Sequence, residues 1–257
     1  MRHTFMTLAA AALTLPAMSG AARAQADTPQ DTASAKTATP ADRIERLREP
    51  DGEDVQSRPG PEGPLYRAGG VFTDTKLPVG YPRPTPPGAI EIKRYPSVRQ
   101  AEVSGEGSLN RSGRAGFMPL FRHIQSSGIA MTAPVEMRVE QGEDDAAKPG
   151  WTMAFLYHTP EDGPTGETGA VMVLDTLPVT VVSLGVQGVS DAGSASAMAD
   201  ELRGFLSEDG RWEPAGEIRV LGYSGPYVPD ANKWWEVQIP VVPVAGDAAG
   251  TTGDDPL

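Results

Sequence analysis

Glu236 follows Trp234 and Trp235. In an extended chain, where side chains alternate, it shares one face with Trp234 while Trp235 takes the other. A carboxylate desolvated against an indole has a raised pKa and can serve as a general acid or base. The same residue can instead close an ion pair inside a sheet, with Lys233 or Arg219 as partner. Apart from the N-terminal His3, the imidazoles are His123 and His158. They belong to different predicted elements and have no carboxylates at ligand spacing, which argues against zinc. There is no cysteine, so thiolate chemistry and disulfides are excluded. Gly-x-Ser-x-Gly, phosphate-loop and dinucleotide patterns are absent as well.

A second set of candidates lies around one helix. Phe117, Leu120, Phe121 and Ile124 recur at helical spacing, which predicts a helix from about Phe117 to Ser126 with Pro119 tolerated in its first turn. His123 falls about 110° from the centre of that stripe, a boundary position. From there its imidazole can face a ligand lying on the helix or hydrogen-bond at the rim. His158 ends a strand beside Thr159-Pro160 and reads as turn-bonded or solvated. A Phe/Met stripe is the ordinary face of a core helix; with Phe117, Met118, Phe121 and Met131 it can also wall a slot for a flat apolar ring.

The elements that must position these groups span residues 89–244, about one domain by length. They read as two similar halves. The first has alternating strand pattern over 89–105, a glycine-rich loop at 110–116, the helix, then strands over 129–139 and 151–158. The second has β-branched runs over 170–173 and 179–186 and a helix over 190–206 capped at Ser190 or Asp191, with Ala195, Met198, Leu202 and Leu206 inward. Its last strands cover 218–223 and 235–242, around a loop holding Pro226 and Pro229.

The first 24 residues have a basic start, an apolar run from Leu8 to Leu15 and Ala22-Arg23-Ala24, the pattern of a cleaved export signal rather than a membrane anchor. The expected location is the periplasm. Removing Arg2 and Arg23 from the 22 Lys and Arg leaves 20 against 34 acids, about −14, a poor surface for nucleic acid or anionic lipid. Residues 25–88 hold 11 of the 25 prolines and no sustained apolar face, so a mobile tether is expected there, with Pro40 to Arg48 either a frayed helix or unstructured. Residues 245–257 read as a disordered tail.

The order Glu91-Ile92-Lys93-Arg94-Tyr95-Pro96, Gly116-Phe117 through Ile124, then Ile129-Ala130-Met131-Thr132-Ala133-Pro134-Val135 resembles the SOUL haem-binding protein family. Val181 to Gly188 and Trp234-Trp235-Glu236-Val237 continue the resemblance. It implies an α+β fold, a distorted antiparallel β-barrel or curved sheet flanked by two helices with pseudo-twofold symmetry. It also implies a small hydrophobic ligand, tetrapyrrole or haem, in a groove between the first helix and the sheet. Phe117, Met118, Phe121 and Met131 would form the walls, Arg122, Lys93 and Arg94 would meet the propionates, and His123 or Met118 would ligate iron. Only Gln125-Ser126-Ser127-Gly128 separates helix from strand, where many members carry a longer loop with Asn and Lys. Related folds include hydrolases with a carboxylate and an aromatic in the central groove, so Glu236 with Trp234 is the alternative centre; a third reading is an envelope domain whose groove its own side chains fill, with no ligand.

Overall fold

The computed structural model describes residues 43–107, 109–139, 150–188 and 191–245. The expected export segment, the start of the tether and nearly all of the tail lie outside the described residues. Four short strands come first: β1 (Ile44–Arg48), β2 (Gln56–Gly60), β3 (Gly63–Ala68) and β4 (Val71–Phe72). The first half is β5 (Ile90–Tyr95), β6 (Arg99–Glu106), α1 (Leu109–Ser126), β7 (Val135–Val139) and β8 (Gly150–Leu156). After β9 (Gly166–Thr168), the second half is β10 (Val171–Asp175), β11 (Val179–Gln187), α2 (Ala192–Asp209), β12 (Trp212–Pro214), β13 (Ile218–Gly222) and β14 (Trp234–Pro243).

One antiparallel sheet carries both halves, in the order β1-β5-β11-β14-β13-β7-β8-β6-β10-β9 with β12 on β14. β13 and β7 meet at its centre, and each half sends its first strand to the other: β5 pairs with β11, and β10 with β6. This exchange gives the expected pseudo-twofold arrangement. β1 and β9 remain as edges, so the sheet is curved and open rather than closed into a barrel.

Strand alternation sorts the sheet into two faces. Ile90, Ile92, Val182, Leu184, Val237 and Ile239 face α2, where Ala195, Ala199, Leu202 and Leu206 pack against them. Each of those leucines contributes roughly 1.5–3 kcal/mol by burial. α2 starts where Asp191 accepts a hydrogen bond from the Ser194 N–H (2.9 Å) and stops at Gly210, whose φ of 70° is left-handed. Leu120 and Ile124 of α1 pack on Ala101, Val103, Met153 and Phe155. α1 begins eight residues before the expected start, so the supposed glycine-rich loop at 110–116 is helical and Pro119 lies in the helix interior. The bond its missing N–H removes is to the carbonyl of Ala115, an exposed residue. Gly116 lets the helix sit close to β8; a Cβ there would stand 2.9 Å from the Trp151 ring.

The opposite, concave face is polar and nonetheless buried: Glu91, Lys93, Gln100, Glu136, Ser183, Arg219, Glu236 and Gln238 all lie on it. The expected tether covers it. From residue 43 the chain is ordered: β1 pairs with β5, β2–β4 form a small sheet, and residues 73–88 lie along the concave face, where Leu77 and Tyr81 pack with Tyr95, Leu221 and Trp234. The expected helix over 40–48 is accordingly strand from Ile44 to Arg48. Pro78, Pro82, Pro84, Pro86 and Pro87 preset an extended backbone, so this segment orders at low entropic cost without any apolar periodicity.

Candidate functional site

Phe117 and Phe121, one turn apart on α1, stack with centroids 5.7 Å apart, and Phe117 meets Phe155 edge-on at 5.0 Å. With Met131 they form one wall of a mostly apolar pocket of about 340 Å³, within the size range of small-molecule sites. The facing wall is Tyr223 and the loop Ser224 to Tyr227, and the rim is Asp74 and Thr75. Tyr227 is 74% exposed, and its hydroxyl donates to Asp74 across the mouth. The pocket lies between two halves of the fold: helix α1 and the segment before β7 on one side, the β13–β14 loop on the other.

Of the residues singled out in the sequence, Phe117, Phe121 and Met131 line this pocket; Met118, Arg122 and His123 do not. Arg122 is exposed. His123 Nε2 lies 2.9 Å from the hydroxyl of Tyr157, a partner on the sheet, which is the rim hydrogen bond and not a ligand-facing imidazole. His158 Nδ1 bonds the carbonyl of Leu77 at 2.9 Å, fastening the segment over the concave face. Among the described residues, no group of three or more His, Cys, Asp or Glu could hold a metal ion, and no helix is long and apolar enough to cross a membrane.

Lys93 and Arg94 were expected to meet carboxylates of a ligand. Lys93 instead is fully buried, with Nζ at 3.0 and 3.1 Å from the two oxygens of Glu236. Arg94, exposed, borders a separate surface cavity with Arg43 and Val179. Glu236 also accepts from the Thr85 N–H (2.7 Å), Ser183 Oγ (2.6 Å) and Gln238 Nε2 (2.7 Å). Burial pushes its pKa up, but the Lys93 ammonium and the Ser183 and Thr85 donors outweigh this and hold it below the ordinary carboxylate range. Its oxygens are saturated, and it lines neither the pocket at Phe117 nor the cavities at Arg48, Glu136 and Arg94. The expected ion pair in the sheet is therefore present with a different partner, Lys93. Lys233 pairs with Asp230, and Arg219 with Glu136. Trp234 and Trp235 do face opposite ways, Trp234 into the concave cluster and Trp235 toward α2.

The sequence reading missed Tyr223, Tyr227, Asp74 and Thr75. Tyr223 ends the strand read over 218–223, Tyr227 sits in the proline-containing loop that follows, and Asp74 and Thr75 fall in the supposed tether. The one available signal was Tyr227 between Pro226 and Pro229, an aromatic held on a stiff loop.

A solved domain has a similar fold. The EcmrR C-terminal domain superposes with a TM-score of 0.50 at 15% identity, over 60% of this chain and 98% of that one. In the EcmrR–DNA complex the same likeness (TM-score 0.50, 15% identity) covers 60% of this chain and 57% of that longer one. A hydrolase from Listeria innocua gives 0.46 at 12% identity, over 61% and 93%. No curated protein matches the sequence. The family model described as SOUL heme-binding protein matches residues 83–240, from the end of the covering segment through most of β14, and the chain belongs to that family.

Proposed function

We propose that this domain binds a flat, largely apolar ligand of the tetrapyrrole class, haem included, in the pocket walled by Phe117, Phe121, Met131 and Tyr227. The observation that carries this reading is the stacked phenylalanine pair, which rests on Phe155 of the sheet and also lines an open apolar space. Membership in a heme-binding family supports it. The walls suit the faces of a conjugated ring, and the exposed mouth lets polar substituents stay in water. The donors that the lining would offer iron are the Met131 thioether and the phenol oxygens of Tyr223 and Tyr227. Bound haem would supply redox and gas-binding chemistry; the chain supplies the slot, its apolar walls and the Tyr227–Asp74 closure. The N-terminal residues 1–24 support action after export.

The test is titration with haemin followed by the Soret band. Saturation near one equivalent is expected, with Phe121→Ala weakening binding about tenfold through lost apolar contact. A linear, unsaturable response in the intact protein would overturn the proposal.

A further inference from the structure

We propose that the concave face carries a second site, for a small molecule that joins a carboxylate to an apolar chain, at the end of the groove that residues 73–88 leave open. A cavity of about 530 Å³ lies there, with Tyr81, Gln100, Glu136, Arg138 and Arg219 at its polar end and Val98, Leu177 and Val179 toward the mouth. Its floor is low because Ala154 stands between Glu102 and Glu136 in one cross-strand row.

At the deep end Glu102 and Glu136 are already matched, Asp175 pairs with Arg99, and Glu217 stands exposed on the lining. Arg219 Nε and Nη2 donate to the two oxygens of Glu136 at 3.1 and 2.8 Å, while Arg138 Nη2 and Gln100 Nε2 both donate to Glu102. Four buried polar atoms of residues lining this cavity have no hydrogen-bond partner: Arg219 Nη1, the Tyr81 hydroxyl, Gln100 Oε1 and Arg138 Nε, the last 3.8 Å from Glu136 Oε1. Three of these four can donate, and leaving buried donors unpaired is costly. The Arg219 guanidinium is fixed by its double bond to Glu136 and by stacking over the Tyr95 ring at 5.1 Å, so its free N–H is held in place. Guanidinium N–H groups bond carboxylate most strongly, which makes an anionic acceptor the best match for the deep end. At the mouth Leu177 is 85% exposed, an apolar side chain with nothing to cover it. Tyr81 comes from the covering segment, outside the family-matched residues, so the site depends on that segment.

The experiment is calorimetric titration of the full chain near neutral pH with octanoate, octanol and octylamine. Octanoate should saturate at one equivalent, about tenfold tighter than octanol, with no binding of the amine. Tyr81→Phe should weaken octanoate about threefold, and Leu177→Glu, an exposed change that leaves the fold intact, should do the same by repulsion at the mouth. Tyr227→Ala, in the other pocket, should leave octanoate binding unchanged. Equal affinity for octanoate and octanol, preference for the amine, or sensitivity to Tyr227→Ala with none to Leu177→Glu would each overturn the assignment.

Discussion

Lys93 Nζ and Glu236 Oε1 lie 3.0 Å apart, and neither side chain has any solvent exposure. The pair links β5 to β14 across β11, whose Ser183 donates to the same carboxylate, so the first strand of one half is tied to the last strand of the other. Removing one partner strands a buried charge. Lys93→Met is expected to cost about 3–5 kcal/mol in urea unfolding, and adding Glu236→Leu to recover a large part of that loss, because the pair's desolvation disappears with it. Equal stability of wild type and Lys93→Met would contradict the arrangement.

Glu236 and Glu136 both have carboxyl groups held below the ordinary value of 4.5 in the folded state: burial raises each, and Lys93 and Arg219 respectively outweigh it. A depressed folded pKa means the unfolded chain takes up protons first as pH falls. The stabilisation is therefore complete above the unfolded value and lost below it, down through the folded pKa. The melting temperature should be flat in this respect from neutral pH to about 5.5 and fall steeply below about 4.5. Glu136→Gln should reduce that slope while lowering stability at neutral pH, measured by thermal melts across the range.

How far the sequence revealed this fold depends on which face is considered. The helix-facing residues of the sheet, such as Ile90, Ile92, Val182 and Leu184, alternate or run as apolar strands, and the α2 stripe of Ala195, Leu202 and Leu206 shows its period plainly. The concave face does not, because its charged residues become buried only when a covering segment lies over them and brings Arg83 to Glu91 and the Thr85 N–H to Glu236. That segment is built from prolines and single anchors such as Leu77, Tyr81 and Thr85. Its order arises from long-range hydrogen bonds, Thr85 N–H to Glu236 and Trp234 Nε1 to the Thr85 carbonyl, which leave no local pattern. For the site, half of the pocket wall was legible as a helical aromatic pair. The facing half was not: Tyr223 reads only as the end of a strand, and Tyr227 sits in a loop with no periodicity to place it.

Gly185 is where the covering segment crosses β11. A Cβ there would lie 2.3 Å from the carbonyl oxygens of both Thr85 and Pro86, backbone atoms that cannot step aside individually. Gly185→Ala should therefore lift the segment, at a cost of about 1–3 kcal/mol. The more specific expectation is kinetic: limited trypsin digestion should cleave after Lys76 faster in the variant than in wild type, with the family-matched core left intact by mass spectrometry. Unchanged cleavage with unchanged stability would mean that the segment does not rest on Gly185.

His123 separates a structural from a ligating role. Its Nε2 and the Tyr157 hydroxyl are 2.9 Å apart, and Tyr157 is buried, with its phenol pKa pushed up chiefly by that burial. His123→Ala removes the partner of a buried hydroxyl, which should lower stability by about 1–3 kcal/mol. Because the imidazole points at the sheet and not into the pocket, the same variant should leave the haemin affinity and the position of the Soret band as they are in wild type. Met131→Ala is the matched opposite, an alteration of the pocket wall that should weaken haemin binding with little effect on the His123–Tyr157 bond. A Soret shift in His123→Ala without one in Met131→Ala would place the imidazole on iron and require α1 to turn when the ligand enters.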